Sequence, residues 1–351
     1  MNSGEAVRIP GERLQAFVQA CMETLRVSPR HAQRIGDCLV AADLCGVHTH
    51  GVARLPVYAK RLRAAVVNAT PDVRILPGVG GCAVVDGDNA PGPVAAGVAA
   101  DEALRLARTQ GVAWVGVRHS NHFGFASFYC ERIARAGMIG LSSSSGEPSV
   151  APWGGKRAFF ANNPFALAAP TSSHPLVVDM ATSVTARGRI LLAQQTGRPI
   201  PEGWAVDAEG RPTTDPAAAL SGSVLPMAGA KGYALIVALE VLCGVLTGGA
   251  FAPHVRSQTD TAAPAQVGHF ICAIDPAAFM PLAEFIARID RMLEELRAAP
   301  SAAGSDILAP GDRRQRVRES NLALGVPLHS KVIEELRTLG RELGLACGAN
   351  L

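Results

Sequence analysis

Between Glu12 and Leu25, apolar residues fall at 14, 17, 18, 21, 22 and 25, the spacing of one face of an α-helix. A second helix is expected from Pro29, with Ser28 placed to cap it, and it should stop near Cys45 at Gly46. A third is predicted from about Val52 and carries Arg54 and Tyr58. Beyond Pro71 the pattern changes. Ala83–Gly87 reads as a strand ending in a turn, Pro93–Arg108 as an alanine-rich helix, and Val112–Val117 as a buried strand. A helix over about Phe125–Arg135 and a strand over Met138–Ser142 follow. Short apolar runs at Phe165–Ala169, Pro175–Asp179 and His269–Ile274 predict further strands. Helical spacing marks Val184–Gln195, Gly232–Leu246, Pro281–Arg297 and His329–Leu343. Segments 196–230 and 252–267 are rich in proline, glycine and threonine and read as long loops. Strands alternating with helices predict an α/β protein. The expected division is a helical region over 1–72, packing with 310–351, and an α/β region over 73–309.

The run from Gly232 to Phe251 is almost wholly apolar. Glu240 in its middle and Gly248-Gly249 at its end point to a buried core helix, with no membrane span expected. The chain has 351 residues, 48% hydrophobic and 18% charged, enough for a substantial core. Its 33 basic and 30 acidic residues leave no surplus for nucleic acid. The densest basic cluster, Arg313, Arg314, Arg316 and Arg318, reads as the solvated face of a helix. Eight cysteines are scattered without a CxxC, and Met1–Glu5 lacks the start of a signal peptide, so a reduced, cytoplasmic protein is expected.

Four of the nine histidines sit in two short segments, His48-Thr49-His50-Gly51 and His119-Ser120-Asn121-His122-Phe123-Gly124. Each lies between a regular element and a glycine, where loops carry chemistry. Two readings are open. Four imidazoles suit zinc and a hydrolase, although no cysteine or carboxylate spacing supports a metal, and none is expected. The other reading is acid–base work, because imidazole moves protons near neutral pH. Reduction of a 2-oxo acid needs hydride on carbon, a proton on oxygen and a cation for the carboxylate. His122 or His50 supplies the proton, and Arg54, one helical turn past His50, clamps the carboxylate.

The run Gly78-Val79-Gly80-Gly81-Cys82-Ala83 matches a dinucleotide fingerprint, but a strand follows it where a helix is required, so it reads as a plain turn. Asp179-Met180-Ala181-Thr182-Ser183 is better placed, between a strand and a helix starting near Val184. Such a helix start attracts phosphate or is simply capped by Thr182 or Ser183. Lys231-Gly232 opens another long helix, and Pro310-Gly311-Asp312 is a turn or a third ligand loop.

These segments together resemble the type 2 malate/L-lactate dehydrogenase family. That family also holds ureidoglycolate and sulfolactate dehydrogenases, diketogulonate reductase and Δ1-piperideine-2-carboxylate reductase. The likeness runs nearly end to end. It includes His50-Gly51-Val52-Ala53-Arg54-Leu55-Pro56, Ser120–Gly124, Pro152-Trp153-Gly154-Gly155, Asn163-Pro164-Phe165-Ala166, Asp179–Ser183, Lys231-Gly232-Tyr233 and Leu246-Thr247-Gly248-Gly249. The resemblance implies a family-specific, non-Rossmann fold binding NAD or NADP, and a homodimer with its sites near the subunit interface. It implies His122 as acid/base, with His50 facing substrate. It also implies cofactor contacts from Gly124, Met180, Ala181, Thr182, Ser183, Lys231, Gly232, Gly311 and Asp312. Asp179 is expected to hydrogen-bond a histidine and fix its tautomer. Thr49 stands where the family usually has serine, His48 where aspartate is common, and Ala161-Asn162 where Gly-Thr is usual. Thr49 and His48 are therefore expected beside the substrate and bear on its choice. The expected reaction interconverts a small 2-hydroxy acid and its 2-oxo acid. Cyclic-imine reduction and the ureidoglycolate or sulfolactate reactions are the alternatives.

Overall fold

Residues 6–302, 304 and 306–345 of a computed structural model are described. The chain opens with β1 (Val7–Ile9) and α1 (Gly11–Thr24), whose buried Leu14, Phe17, Val18, Cys21 and Met22 form the expected stripe. In α2 (Pro29–Leu44) the Ser28 hydroxyl accepts the His31 N–H, and Pro29 takes the first helical position. Two 3₁₀ turns, His48–His50 and Val52–Arg54, then lead into α3 (Leu55–Arg63), which begins later than the periodicity predicts.

The central part runs through β2 (Arg74–Pro77), β3 (Cys82–Asp86), α4 (Gly92–Gln110), β4 (Val112–Ser120), α5 (Ser127–Arg135), β5 (Ile139–Ser144), β6 (Phe165–Ala169) and β7 (Leu176–Met180). It continues through α6 (Arg187–Gln195), β8 (Ala205–Val206), β9 (Pro212–Thr213), α7 (Pro216–Ser221), β10 (Ser223–Val224), α8 (Ala230–Glu240) and β11 (Val267–Ile274). α9 (Leu282–Ala298), α10 (Asp312–Leu324), β12 (Val326–Leu328) and α11 (Ser330–Glu342) follow. The main sheet has seven strands in the order β2-β3-β4-β11-β5-β6-β7. Only β3 and β4 run parallel, with α4 as their crossover; the other neighbours are antiparallel. The buried alanines of α4, among them Ala96, Ala99, Ala100 and Ala103, let it lie close on the sheet. Its start needs a glycine: a Cβ on Gly92 would stand 2.2 Å from the His122 carbonyl oxygen. β1 pairs with β12, and Asn321 of α10 donates to the Leu44 carbonyl at 3.1 Å, so the last segments return to the first helices.

β4 extends past Val117 to Ser120, so His119 lies within the strand at φ +50°. The 196–230 segment is not all loop: it builds α7 and a second sheet in the order β10-β8-β9. The apolar stretch after Gly232 is not wholly buried, because Val241, Val245 and Leu246 are 48%, 56% and 59% exposed. The arginine cluster in α10 is not simply solvated. Arg314 and Arg318 turn inward to Glu131, and Arg314 reaches Asp179 as well. Of the seven described cysteines only Cys82 is exposed, while Cys347 lies outside the described residues. Among the described residues no helix is long and apolar enough to cross a membrane.

Candidate active site

The loop after α2 is held by Asp43, whose carboxylate is 1% exposed. It accepts the Val52 N–H at 2.7 Å and pairs with His48 Nδ1 at 2.8 Å. Burial pushes the Asp43 carboxyl pKa up, and His48 and the Val52 N–H oppose that shift. Gly51 makes the approach possible, since a Cβ there would meet Asp43 Oδ2 at 2.1 Å. The loop is thereby fixed with His50 facing His122, their rings stacked at 5.5 Å between centroids. Thr49 Oγ1 lies 2.9 Å from His50 Nδ1 and orients that ring. Arg54 Nε donates to the Thr49 carbonyl at 2.6 Å, and among the described residues Arg54 forms no ion pair.

His122 leaves the end of β4 and meets Tyr58 from α3. The Tyr58 hydroxyl stands 2.8 Å from His122 Nδ1 and 3.1 Å from the His122 carbonyl oxygen. Burial pushes the Tyr58 pKa up, so the phenol keeps its proton. A hydroxyl that gives this proton to the carbonyl accepts Nδ1–H. The Gly124 N–H points at the same nitrogen from 3.4 Å, the longer and weaker of its two contacts. With the Tyr58 hydroxyl accepting from Nδ1–H, His122 Nε2 carries the lone pair. Burial holds His122 well below the usual histidine range, helped by the nearby charges of His50, Arg54 and His269. Burial and Arg54 lower His50 to about 4, with Asp179 pulling the other way. Both imidazoles are neutral at pH 7.

Not every expected residue joins this pair. His48 anchors the loop through Asp43, and His119 Nδ1 turns to Asp86 at 2.9 Å. Each segment thus brings one histidine to the pair, and the four imidazoles do not converge on one point. Among the described residues no group of three or more His, Cys, Asp or Glu side chains is placed to hold a metal ion. Asp179 does not bond a histidine. It sits at the N-terminus of α5, where it accepts the Ser127 N–H at 3.2 Å, the Ser127 hydroxyl at 2.6 Å and Arg314 Nη2 at 2.9 Å. A helix N-terminus and a guanidinium satisfy that carboxylate, so it reaches His50 only through its field. Arg314 also donates to the Ser127 hydroxyl and lies over the Phe125 ring.

The segments read as cofactor contacts fall at the end of β7 and around it. Met180 is 38% exposed. Thr182 is buried, its hydroxyl donating to the Asn162 carbonyl at 2.7 Å, and the Ser183 hydroxyl donates to Thr185 O at 2.9 Å. α6 starts only at Arg187, and the Thr182 and Val184 N–H groups are already given to Asn162 and Leu225. Thr182 and Ser183 thus lie ahead of the helix, and the phosphate-at-helix-start argument applies to α8 instead. Lys231 lies in its first turn, exposed and without an ion pair among the described residues. The Met227 N–H donates to Thr182 O at 2.9 Å, which ties the α8 start to the end of β7. A Cβ on Gly232 would stand 1.8 Å from the Met227 carbonyl oxygen, so this glycine serves close backbone approach. Gly124 has φ +85°, and a Cβ there would meet Cys38 Sγ at 2.2 Å. Gly311, at φ +98°, lies against Val177 of β7. Asp312 is held by Arg297 at 2.9 Å, which lowers its carboxyl to about 2, and lines a cleft of about 120 Å³ with His174 and Arg297. Sequence reasoning missed Asp43, Ser127 and Arg314, and it gave Tyr58 no role.

His269 is fully buried between Ser120 and Ser144 (2.9 and 2.8 Å) and stacks on Phe123. Burial lowers its pKa to about 3. Below pH 6.5 an unfolded chain protonates this ring and the folded one does not, so stability falls with pH from about 6.5 down to about 3. His269→Gln is expected to flatten the pH dependence of unfolding free energy by about 1.4 kcal/mol per pH unit in that window. Denaturant melts at pH 7, 6 and 5 with parallel wild-type and variant slopes would contradict it.

The malate/L-lactate dehydrogenase family model matches residues 9–337. The malate/(S)-sulfolactate dehydrogenase of Methanothermus fervidus is 35% identical over 337 residues, 96% of this chain and 98% of that one. The solved sulfolactate dehydrogenase of Methanocaldococcus jannaschii superposes with a TM-score of 0.93 at 34% identity, covering 98% of this chain and 99% of that one. The Δ1-piperideine-2-carboxylate reductase of Pseudomonas syringae gives 0.86 at 29% identity, covering 95% and 99%. Other relatives are named for NAD+ or for NADP+. This leaves the zinc-hydrolase reading without support. The chain belongs to the malate/L-lactate dehydrogenase family and is an oxidoreductase that uses NAD or NADP.

Proposed function

We propose that the site interconverts a small 2-hydroxy acid and its 2-oxo acid, malate-like or lactate-like. The observation that carries this reading is the stacked His50–His122 pair with the unpaired Arg54 beside it. Arg54 binds the substrate carboxylate through its terminal nitrogens. In oxidation, His122 Nε2 takes the hydroxyl proton. In reduction, the same nitrogen, once protonated, returns it to the carbonyl oxygen. Tyr58 holds Nδ1–H in both directions, so no tautomer change is needed. His50, oriented by Thr49, donates to the substrate oxygen from the opposite side. A bound 2-oxo acid brings negative charge to two depressed imidazoles and raises their proton affinity.

The residues present fit a dinucleotide. Lys231 at the start of α8 and the exposed Met180 at the end of β7 form an edge that offers its phosphates a cation, with the Gly311 loop packed along β7. When bound, NAD or NADP supplies or takes the hydride. Asp179 and Arg314 position this edge by fixing the end of β7 to α5.

A homodimer and a cytoplasmic setting belong to the same proposal. The exposed apolar strip of Val241, Val245 and Leu246 supports the first, and six cysteines buried as small apolar side chains support the second. Sedimentation should give twice the chain mass, and Val245→Asp should halve it; an unchanged mass in the variant would place the interface elsewhere.

The reaction is tested by absorbance at 340 nm with NADH and NADPH against oxaloacetate, pyruvate and Δ1-piperideine-2-carboxylate. Oxidation with an open-chain acid is expected, and oxidation with the imine alone would overturn the hydroxy-acid reading. His122→Ala should lower kcat by about 10²–10⁴; unchanged turnover would remove His122 from proton transfer.

A further inference from the structure

β4 does not end as a regular strand. Val117 pairs with His269 of β11 and Ser120 with Val267, so Arg118 and His119 together stand opposite Gly268. One extra residue in a strand is a β-bulge, which bends the chain and re-aims the side chains after it. Here it puts Ser120 on the His269 face, where the hydroxyl lies 2.9 Å from His269 Nε2. In a regular strand that place falls to His119, and the next side chains face the other way. His119 bears the bulge at φ +50°, a left-handed conformation open to few side chains, of which histidine is one. From the bulge the chain runs on to His122.

The end of β3 holds the bulge in two ways. Asp86 takes both of its side chains: Oδ2 accepts Arg118 Nε at 3.1 Å, and Oδ1 accepts His119 Nδ1 at 2.9 Å. The turn that follows takes both carbonyls, with the Gly87 N–H donating to Arg118 O at 2.9 Å and the Asn89 N–H to His119 O at 2.8 Å. Asn121 Nδ2 extends this grip, donating to the Ala90 carbonyl at 2.9 Å. The His119 and Asp86 side chains are 39% and 24% exposed, and ion pairs so placed add little to the stability of a fold. What this pair does fix is the direction in which the chain runs on to His122. A misplacement of about 1 Å at a reacting group costs about 10²-fold in rate.

We propose that Asp86 and His119 are positioning residues for proton transfer: the pair locks the bulge, and the bulge sets His122 against Tyr58 and His50. This rests on the function proposed above. Both residues act through His122 and not on the substrate. The first histidine of the segment thus aims the second.

The test compares wild type, His119→Val, His119→Asn and Asp86→Ala on oxaloacetate or pyruvate, whichever the wild type reduces. Valine resists φ +50°, whereas asparagine takes it and keeps a donor at the same δ position. His119→Val and Asp86→Ala should each lower kcat about 10- to 100-fold, and His119→Asn less than about threefold. Affinity for NADH or NADPH, read from the fluorescence of the bound cofactor, should stay that of the wild type in all three. The His122 Nδ1–H proton resonance, identified by its loss in His122→Ala, should move in the two impaired variants and return in His119→Asn. A His119→Asn as slow as His119→Val, full activity in all three variants, or a fall in kcat with the His122 resonance in place overturns the proposal. So does a loss confined to thermal stability or cofactor affinity, which makes the pair merely structural. If the wild type reduces no 2-oxo acid while the resonance moves as expected, the function falls and the positioning stands.

Discussion

The grip of Asp43 on the loop after α2 is the contact on which the site depends. One buried carboxylate takes the Val52 N–H and pairs with His48, and Gly51 leaves it the room to do so. The turn that results sets His50 over His122 and starts α3 so that Arg54 and Tyr58 share one line. His48 and His50 are two residues apart and do unrelated work. One is a fastener, and the other faces the chemistry.

A second constraint is electrostatic. Two imidazoles lie close together beside Arg54, in surroundings that disfavour charge, and both are neutral when the site is empty of anion. Asp179 eases this for His50 at a distance, but Arg314 and the α5 N-terminus take most of its charge. The site therefore holds the Arg54 cation and two neutral imidazoles with little counter-charge of its own. An acid substrate completes the balance, which couples binding to the protonation that reduction needs.

Much of this was legible in the chain. The Phe165–Ala169 strand and the Ser28 cap follow from local pattern alone, as do the histidine pairs and Arg54. What escaped depends on contacts distant in sequence. Tyr58 and His122 are 64 positions apart, and Arg314 and Asp179 are 135 apart, so no window of sequence connects them. The arginines of α10 look solvated until the fold supplies Glu131 and Asp179. Asp179 looked like a histidine partner because its neighbours were unknown. In 196–230, two-residue strands and a six-residue helix leave too short a period to register.

The central claim is that His50 and His122 are held neutral until an acid binds. Histidine ring resonances followed by NMR across pH, with and without oxamate, test it most directly. The account predicts that in the free protein both rings titrate below the ordinary value of about 6.5, and that oxamate moves them upward. A His122 that titrates at or above 6.5 without ligand, or that ignores oxamate, would contradict it.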